Sequence, residues 1–178
     1  MRFLLVYLAA LAITACSDSS DNSDPQGPFA VTVSEWIFVD DTRGTPPTGD
    51  FPALPDRTLE TLVFAPEGAG SRPLLVFSHG LGATPRFYEA LLERVAAAGF
   101  VVVAPAFPLT NLNAPAGPDA ADTQQQPGDV SFLIDTVTAA AAQGQEPFAG
   151  RVDTNDVGTF GHSNGGITTF GVIANSCC

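Results

Sequence analysis

Residues 30–43 and 57–68 show a rough alternation of apolar and polar positions. Both segments, AVTVSEWIFVDDTR and RTLETLVFAPEG, are rich in β-branched and aromatic residues, which is typical of strands with one face exposed. A Pro/Gly-rich connection separates them. The pattern predicts that the two segments pair as an antiparallel hairpin or edge pair.

Further along the chain, continuous apolar runs replace the alternation. The runs RPLLVFSHG (72–80), FVVVAPAF (100–107) and DVGTFG (156–161) are typical of parallel strands buried on both faces. Segments with helical spacing follow each of them, so the order is two strands and then β-α-β-α-β-α. This order predicts an α/β fold with right-handed crossovers in its parallel sheet.

The signals at helix ends refine this prediction. Thr84 and Pro85 are placed as an N-cap and a first helical residue, and Gly99 is placed as a left-handed cap at the end of that helix. The second helix is predicted over 129–144, and the third is NGGITTFGVIAN at 164–175.

Residues 108–126 are predicted to be a Pro/Ala/Gln-rich loop before the second helix. Loops that follow parallel strands line ligand sites in open α/β sheets. We therefore expect this loop to border the functional site.

The first 16 residues, MRFLLVYLAALAITAC, combine one early positive charge with a short apolar run and small residues before Cys16. The run is too short for a permanent membrane span and is typical of a secretory signal. Its ITAC ending resembles the bacterial lipobox, which implies that Cys16 becomes a lipidated N-terminus. We expect a lipid anchor on the bacterial cell envelope, at the outer membrane or the periplasmic face. The alternative is an ordinary signal peptide with a chance cysteine, hence secretion.

Residues 17–29 are polar and acidic, so they predict a flexible tether, and residues 30–178 predict the folded domain. Of the 178 residues, 45% are hydrophobic and 15% are charged, which suits one domain with a core. The net charge of −12, from 19 acidic and 7 basic residues, argues against a nucleic-acid partner because phosphate contacts need clustered cations.

The segment GHSNG carries the candidate chemistry of the last strand–helix junction. A Gly-x-Ser-x-Gly turn between a buried strand and a helix predicts a nucleophile elbow that exposes Ser163. Gly161 and Gly165 leave room where side chains would collide. The amide of Asn164, at the helix N-terminus, is placed to stabilise developing negative charge. The alternative is a tight Gly/Ser turn without a catalytic role.

A second motif, SHGLGA, follows the first parallel strand. The amide of Leu81 is the expected second oxyanion donor, and Gly80 lets the backbone approach a substrate. His79 is a candidate base, but we interpret it as a structural histidine that holds the loop. His162 lies inside the elbow, where its side chain points away from that of the serine, so neither histidine suits the role of base.

Together, VFSHGLGATPRFYEALLERVAAAGFVVVAPAF and GTFGHSNGG resemble the α/β-hydrolase superfamily, in particular the group of platelet-activating-factor acetylhydrolases, chlorophyllases and bacterial dienelactone-hydrolase-like esterases. The resemblance covers the chain from about residue 31 onward. It implies hydrolysis of a small-molecule or lipid carboxylic ester through an acyl-enzyme. Ser163 would attack, and the amides of Leu81 and Asn164 would hold the oxyanion. It implies no metal and no organic cofactor.

The sequence departs from this family pattern after the nucleophile. The superfamily order is Ser, then Asp or Glu, then His, but no Asp, Glu or His follows Ser163. We therefore expect the N-terminal, incomplete part of an α/β-hydrolase fold that is nearly inactive by itself. Cys177 and Cys178 are expected to pair with cysteines further along a longer chain.

Two other functions stay open at this point. A peptidase or amidase could use the same scaffold, because fold does not fix the substrate. A non-catalytic surface lipoprotein could keep the fold as a binding module.

Overall fold

The computed structural model describes residues 29–176, which form one five-stranded sheet covered on both faces by helices. The strand order is β1-β2-β4-β3-β5. β1 pairs antiparallel with β2 and β2 antiparallel with β4, whereas β3 is parallel to both β4 and β5. The strands are β1 (Val31–Asp40), β2 (Arg57–Pro66), β3 (Arg72–Ser78), β4 (Val101–Ala106) and β5 (Val152–Gly161). The predicted hairpin and the three predicted parallel strands are confirmed.

The three predicted helices are also present. A 3-10 turn, Pro85–Tyr88, leads into α1 (Glu89–Ala97), and α2 (Gln126–Ala142) and α3 (Asn164–Ser176) follow later in the chain. Gly99 has a φ of 107°, as its predicted capping role requires.

Thr84 occupies the predicted N-cap position, but its side chain makes no capping hydrogen bond. The start of α2 is corrected to Gln126, three residues before the prediction, because Pro127 suits the first turn of a helix. The stretch predicted as a loop contains a 3-10 helix at Ala120–Gln124, which begins where the Asp119 carboxylate accepts a hydrogen bond from the Ala121 amide at 2.9 Å.

The two faces of the sheet bury separate apolar clusters, because side chains alternate along each strand. On one face, Leu92 and Ala96 of α1 pack against strand residues including Phe64, Phe77 and Val102. On the other face, α2 and α3 cover a second cluster. Its buried members include Leu59, Val63, Leu74, Val76, Val101, Val103, Val130, Leu133, Val137 and Val172.

A buried ion-pair network ties the first hairpin to the second helix. Arg57 is 0% exposed and donates to both carboxylate oxygens of Asp122 at 2.9 and 3.0 Å and of Asp129 at 2.7 and 2.6 Å. Arg43, half-buried, bridges Asp129 to Asp40. Burial by itself would lower the pKa of Arg57, but its bonds to Asp129 and Asp122 raise that pKa above its ordinary value. The guanidinium therefore stays charged inside the protein.

β5 lies at the end of the described sheet, and one face of α3 is exposed. Ile167, Phe170 and Ile173 are 64%, 77% and 53% exposed and recur every three residues, so they form one apolar stripe along the helix.

No helix between residues 29 and 176 combines the length and apolarity that a membrane crossing requires. The predicted signal, the lipidated Cys16 and the pairing of Cys177 and Cys178 concern parts of the chain outside the described residues, and they stay predictions.

Candidate active site

The two predicted motifs meet at the carboxyl ends of neighbouring parallel strands. Ser78, the last residue of β3, is in register with Gly161, the last residue of β5, and the His162 amide donates to the Ser78 carbonyl at 3.1 Å. The chain leaves β3 for α1 on one face of the sheet and leaves β5 for α3 on the other face. Such a change of direction opens a crevice between two strands, which is where open α/β sheets bind ligands.

Ser163 occupies the strained turn that the sequence predicts. Its φ is 53°, and it is the one non-glycine residue with positive φ in the described chain, a conformation disfavoured for L-residues outside special sites. The side chain is exposed, and its hydroxyl has no hydrogen-bond partner among residues 29–176. The strain therefore presents a free serine oxygen above the end of the sheet.

Gly161 and Gly165 make this turn possible. A Cβ atom on Gly165 would overlap the Ser78 carbonyl and lie 2.8 Å from the His79 carbonyl oxygen. A Cβ on Gly161 would lie 2.8 Å from the Ser78 oxygen. The backbone of the elbow therefore touches the backbone of the neighbouring loop, which only glycine permits.

Asn164 is the first residue of α3, and its backbone amide has no acceptor in the described chain. The Gly165 and Gly166 amides are already used, by the carbonyls of His162 and Ser163. The Asn164 side chain turns to Thr123 instead, with Nδ2 donating to the Thr123 hydroxyl at 2.9 Å. The free amide at the positive end of the helix is thus available to a negatively charged oxygen.

The loop after β3 offers a second free amide. Gly80, Gly82 and Ala83 donate to the Tyr88 hydroxyl, the Thr110 carbonyl and the Gly80 carbonyl respectively. Leu81 alone among residues 80–83 has an amide without an acceptor in the described part of the chain. The structure thus leaves unpaired the same two amides, of Leu81 and Asn164, that the sequence analysis selected as oxyanion donors.

His79 is fully buried beneath this loop. Its Nδ1 lies 2.8 Å from the Gly80 carbonyl oxygen, and its Nε2 accepts a hydrogen bond from the Phe107 amide at 3.1 Å. Burial lowers the pKa of His79, so the ring is neutral with its proton on Nδ1. Both ring nitrogens are occupied, which agrees with a structural role and leaves no nitrogen for Ser163.

His162 makes a different contact, with Tyr88 on the 3-10 turn after β3. Its Nδ1 lies 3.0 Å from the Tyr88 hydroxyl oxygen. Neither of the two histidines in the sequence hydrogen-bonds Ser163. The described residues therefore bring together an exposed serine hydroxyl and two unpaired backbone amides, and neither histidine is bonded to that serine.

Sequence reasoning did not select Gln126 or Thr123. Gln126 is fully buried. Its Nε2 donates to the hydroxyl of Thr110, in the β4–α2 connection, at 2.6 Å, and its Oε1 accepts a hydrogen bond from the hydroxyl of Thr168 on α3. Thr123 holds the side chain of Asn164. The sequence signal that could have indicated Thr123 is Asp119, because an aspartate is a common helix N-cap and here precedes a short helix within the predicted loop.

A cavity of about 590 Å³ lies apart from Ser163, between the first hairpin and the loops after β3 and β4. It is lined by residues that include Glu35, Glu60, Arg86, Asn111 and Asn113. The first half of the 108–126 stretch therefore faces this cavity, whereas its second half, through Thr123, contacts the elbow. Residues 29–176 contain no cluster of side chains suited to holding a metal ion.

The strand order, the elbow and the paired loop define an α/β-hydrolase fold. The ferulic acid esterase from Streptomyces cinnamoneus is a similar solved structure, with a TM-score of 0.67 and 20% sequence identity. The match covers 86% of this chain and 58% of the esterase chain, so the described fold corresponds to somewhat more than half of that enzyme.

The family model for chlorophyllase matches residues 47–177. The chain belongs to the chlorophyllase family, and the predicted resemblance to this group of α/β-hydrolases is confirmed. No curated protein matches the chain.

Proposed function

We propose that this chain carries the nucleophile and the oxyanion hole of a serine hydrolase that cleaves carboxylic esters through an acyl-enzyme. The observation that carries the proposal is the backbone of Ser163, held at φ 53°, together with two amides, those of Leu81 and Asn164, that have no acceptor in the described chain. Strain of this kind persists where the surroundings enforce it, as at catalytic sites.

The chemistry follows from this arrangement. As the Ser163 oxygen bonds to the ester carbonyl carbon, its proton passes to a base, and the carbonyl electrons move onto an oxygen held by the two amides. The tetrahedral intermediate collapses, the bond to the alkoxy oxygen breaks, and the alcohol leaves with the proton. Water then attacks the acyl group in the same way, which releases the carboxylic acid and restores the serine.

The base is not among the described contacts. His79 is enclosed beneath the loop and His162 is engaged by Tyr88. The proposal therefore leaves the base and its orienting carboxylate unassigned among residues 29–176. We expect residues 29–176 alone to show little turnover, because a serine without its base retains only oxyanion and binding effects.

Esters are favoured over amides as substrates. One structural neighbour is a ferulic acid esterase, and the matching family is chlorophyllase. A peptidase or amidase remains the competing function because the elbow itself serves both reactions. We also propose that the protein is exported and lipidated at Cys16, on the strength of its ITAC motif.

The test uses the natural full-length protein, a fluorophosphonate probe and 4-nitrophenyl esters with matched anilides. We expect one covalent adduct at Ser163 and a burst of 4-nitrophenol, with anilides cleaved far more slowly. Ser163→Ala should lower kcat by about 10⁴-fold or more. Ser131→Ala removes a serine hydroxyl that bonds only within α2, at 3.0 Å from the Pro127 carbonyl, and should change nothing. An adduct elsewhere, or unchanged hydrolysis by Ser163→Ala, would overturn the proposal.

A further inference from the structure

One side chain touches both loops of the candidate site. The Tyr88 hydroxyl oxygen lies 3.0 Å from Nδ1 of His162, in the elbow, and accepts a hydrogen bond from the Gly80 amide at 3.4 Å, in the loop after β3. The tyrosine ring is anchored on Phe77 in the core, with ring centroids 4.8 Å apart, and it lies 5.7 Å from the His162 ring.

The three residues Gly80, Tyr88 and His162, which we term the Tyr88 bridge, form a tight contact. A Cβ atom on Gly80 would lie 3.3 Å from the Tyr88 hydroxyl oxygen and 3.4 Å from His162 Nδ1. A side chain at position 80 would therefore press on the phenol hydroxyl, which would have to move by a few tenths of an ångström. The absence of a side chain at position 80 allows the phenol to reach both loops.

The Gly80 amide fixes the role of the phenol oxygen in one of its two contacts. The Gly80 N–H can only donate, so the phenol oxygen accepts from it and its own proton is free to go to His162. His162 Nδ1 accepts a hydrogen bond from the phenol O–H when the ring carries its proton on Nε2, and it donates to the phenol oxygen when the proton is on Nδ1. With either tautomer of His162, the phenol oxygen joins the Gly80 amide to the imidazole.

We propose that Tyr88 is a positioning residue that fixes the spacing between the two oxyanion amides. Gly80 directly precedes Leu81, and His162 stands two residues before Asn164, so the bridge joins the backbone segments that carry the two donors. These segments leave different strands, and the described backbone link between them is the bond from the His162 amide to the Ser78 carbonyl. The inference rests on the proposed function and deepens it.

The spacing matters because the oxyanion exists only in the transition state. Donors a few tenths of an ångström out of place lose stabilisation there while substrate binding is unaffected. Loss of the phenol hydroxyl should therefore lower kcat and kcat/KM together and leave KM unchanged. Removal of one whole oxyanion donor costs about 10²–10³ in kcat, so a loosened pair should cost roughly tenfold.

The experiment measures the natural full-length protein with a 4-nitrophenyl ester. Tyr88→Phe keeps the ring on Phe77 and removes only the bridging oxygen. We expect kcat to fall roughly tenfold with unchanged KM and an unchanged melting temperature. In NMR spectra of ¹⁵N-histidine-labelled protein, the Nδ1 resonance of His162 should shift. Ser131→Ala is the matched hydroxyl deletion and should leave all of these quantities at their wild-type values.

A second variant keeps the test decisive if Tyr88→Phe folds poorly. His162→Ala removes the other end of the same hydrogen bond from an exposed position. It should lower kcat to a similar extent, and the double variant should fall no further than either single one, because both delete one link.

Three results would overturn the inference. They are an unchanged kcat in Tyr88→Phe, a raised KM at constant kcat, or additive losses in the double variant. Each leaves the proposed function intact if Ser163→Ala still abolishes hydrolysis. Absence of any Ser163-dependent hydrolysis in the wild type would instead overturn both the proposed function and the role of Tyr88 in it.

Discussion

The Nδ1 atom of His79 lies 2.8 Å from the carbonyl oxygen of Gly80, and this contact sets the direction of the next amide. A trans peptide unit is planar, so its N–H points opposite to its carbonyl oxygen. With the Gly80 oxygen held against the buried imidazole, the Leu81 N–H is directed away from the core. A buried neutral histidine thereby orients a donor that it does not touch.

The same contact predicts a pH dependence of stability. Burial lowers the pKa of His79 below its ordinary value of 6.5, so the unfolded chain takes up this proton before the folded chain does. The unfolding free energy should therefore fall as the pH drops below about 6.5, with a slope of at most about 1.4 kcal/mol per pH unit. Urea unfolding at pH 8 and pH 5.5 measures this change.

His79→Asn removes the titrating group while keeping a side-chain donor. We expect it to be less stable than wild type at pH 8 but to lose less stability between pH 8 and pH 5.5. Equal pH slopes for the two proteins would show that His79 is not the group responsible.

Two adjacent glycines should respond in opposite ways to the same substitution. In Gly165→Ala the new methyl group collides with the Ser78 and His79 carbonyls, which are backbone atoms at the end of β3. We expect a loss of several kcal/mol, on the order of 3 or more, or no folded protein. Gly166→Ala places its methyl group 3.9 Å from the nearest atom, inside α3. It should be neutral or stabilising by up to about 1 kcal/mol.

Thermal denaturation of both glycine variants by circular dichroism decides the point. A Gly165→Ala protein with wild-type stability would mean that the elbow and the loop after β3 are not packed backbone to backbone.

Arg57 and Arg86 test the difference between buried and exposed ion pairs. Arg57→Met leaves the carboxylates of Asp122 and Asp129 buried without their main partner, which should cost about 3–5 kcal/mol. Arg86→Met breaks an exposed pair with Glu35 and should change stability by less than about 1 kcal/mol.

Urea denaturation at pH 7 compares the two arginine variants. Similar losses in both would contradict the network that the structure shows around Arg57.

The exposed apolar stripe on α3 predicts that copies of the folded domain, residues 29–176, associate with each other. Ile167, Phe170 and Ile173 form a contiguous apolar surface of the kind that drives association. Phe170→Ser should lower the molecular mass measured by light scattering towards that of the monomer. Phe87→Ser removes a comparably exposed phenylalanine, 65% exposed, outside the stripe and should have no such effect. Equal masses for wild type and Phe170→Ser would exclude the stripe as the contact.

The parallel strands and the elbow could be predicted because their signals are local. One continuous segment contains an apolar run that ends at Gly161, then a Gly-x-Ser-x-Gly turn, then a helix of small residues. Together these three parts are typical of a nucleophile elbow. The choice of the Asn164 amide followed from the same segment, whereas the choice of the Leu81 amide depended on the expected architecture, in which the loop after the first parallel strand supplies the second donor.

Other features depend on contacts that the sequence does not reveal. β5 begins at Val152, before the predicted residue 156, because Val152 and Asp153 pair with Arg72 and Pro73 across an irregular register. The short helix that starts at Ala120 lacks apolar periodicity and is fixed by a single cap. Tyr88 meets His162 across 74 positions of sequence, and nothing near either residue signals that contact.

Arg57 also constrains the order in which the chain can assemble. Its two carboxylate partners lie 65 and 72 positions later, so they leave the ribosome well after the first hairpin has been synthesised. An unpaired guanidinium is costly to bury, so this side chain must remain in water until both aspartates arrive. We therefore expect the second helix to dock onto a hairpin that is still open on that side, so that the two elements close in one non-local step with the loop-closure cost of 65 or more residues.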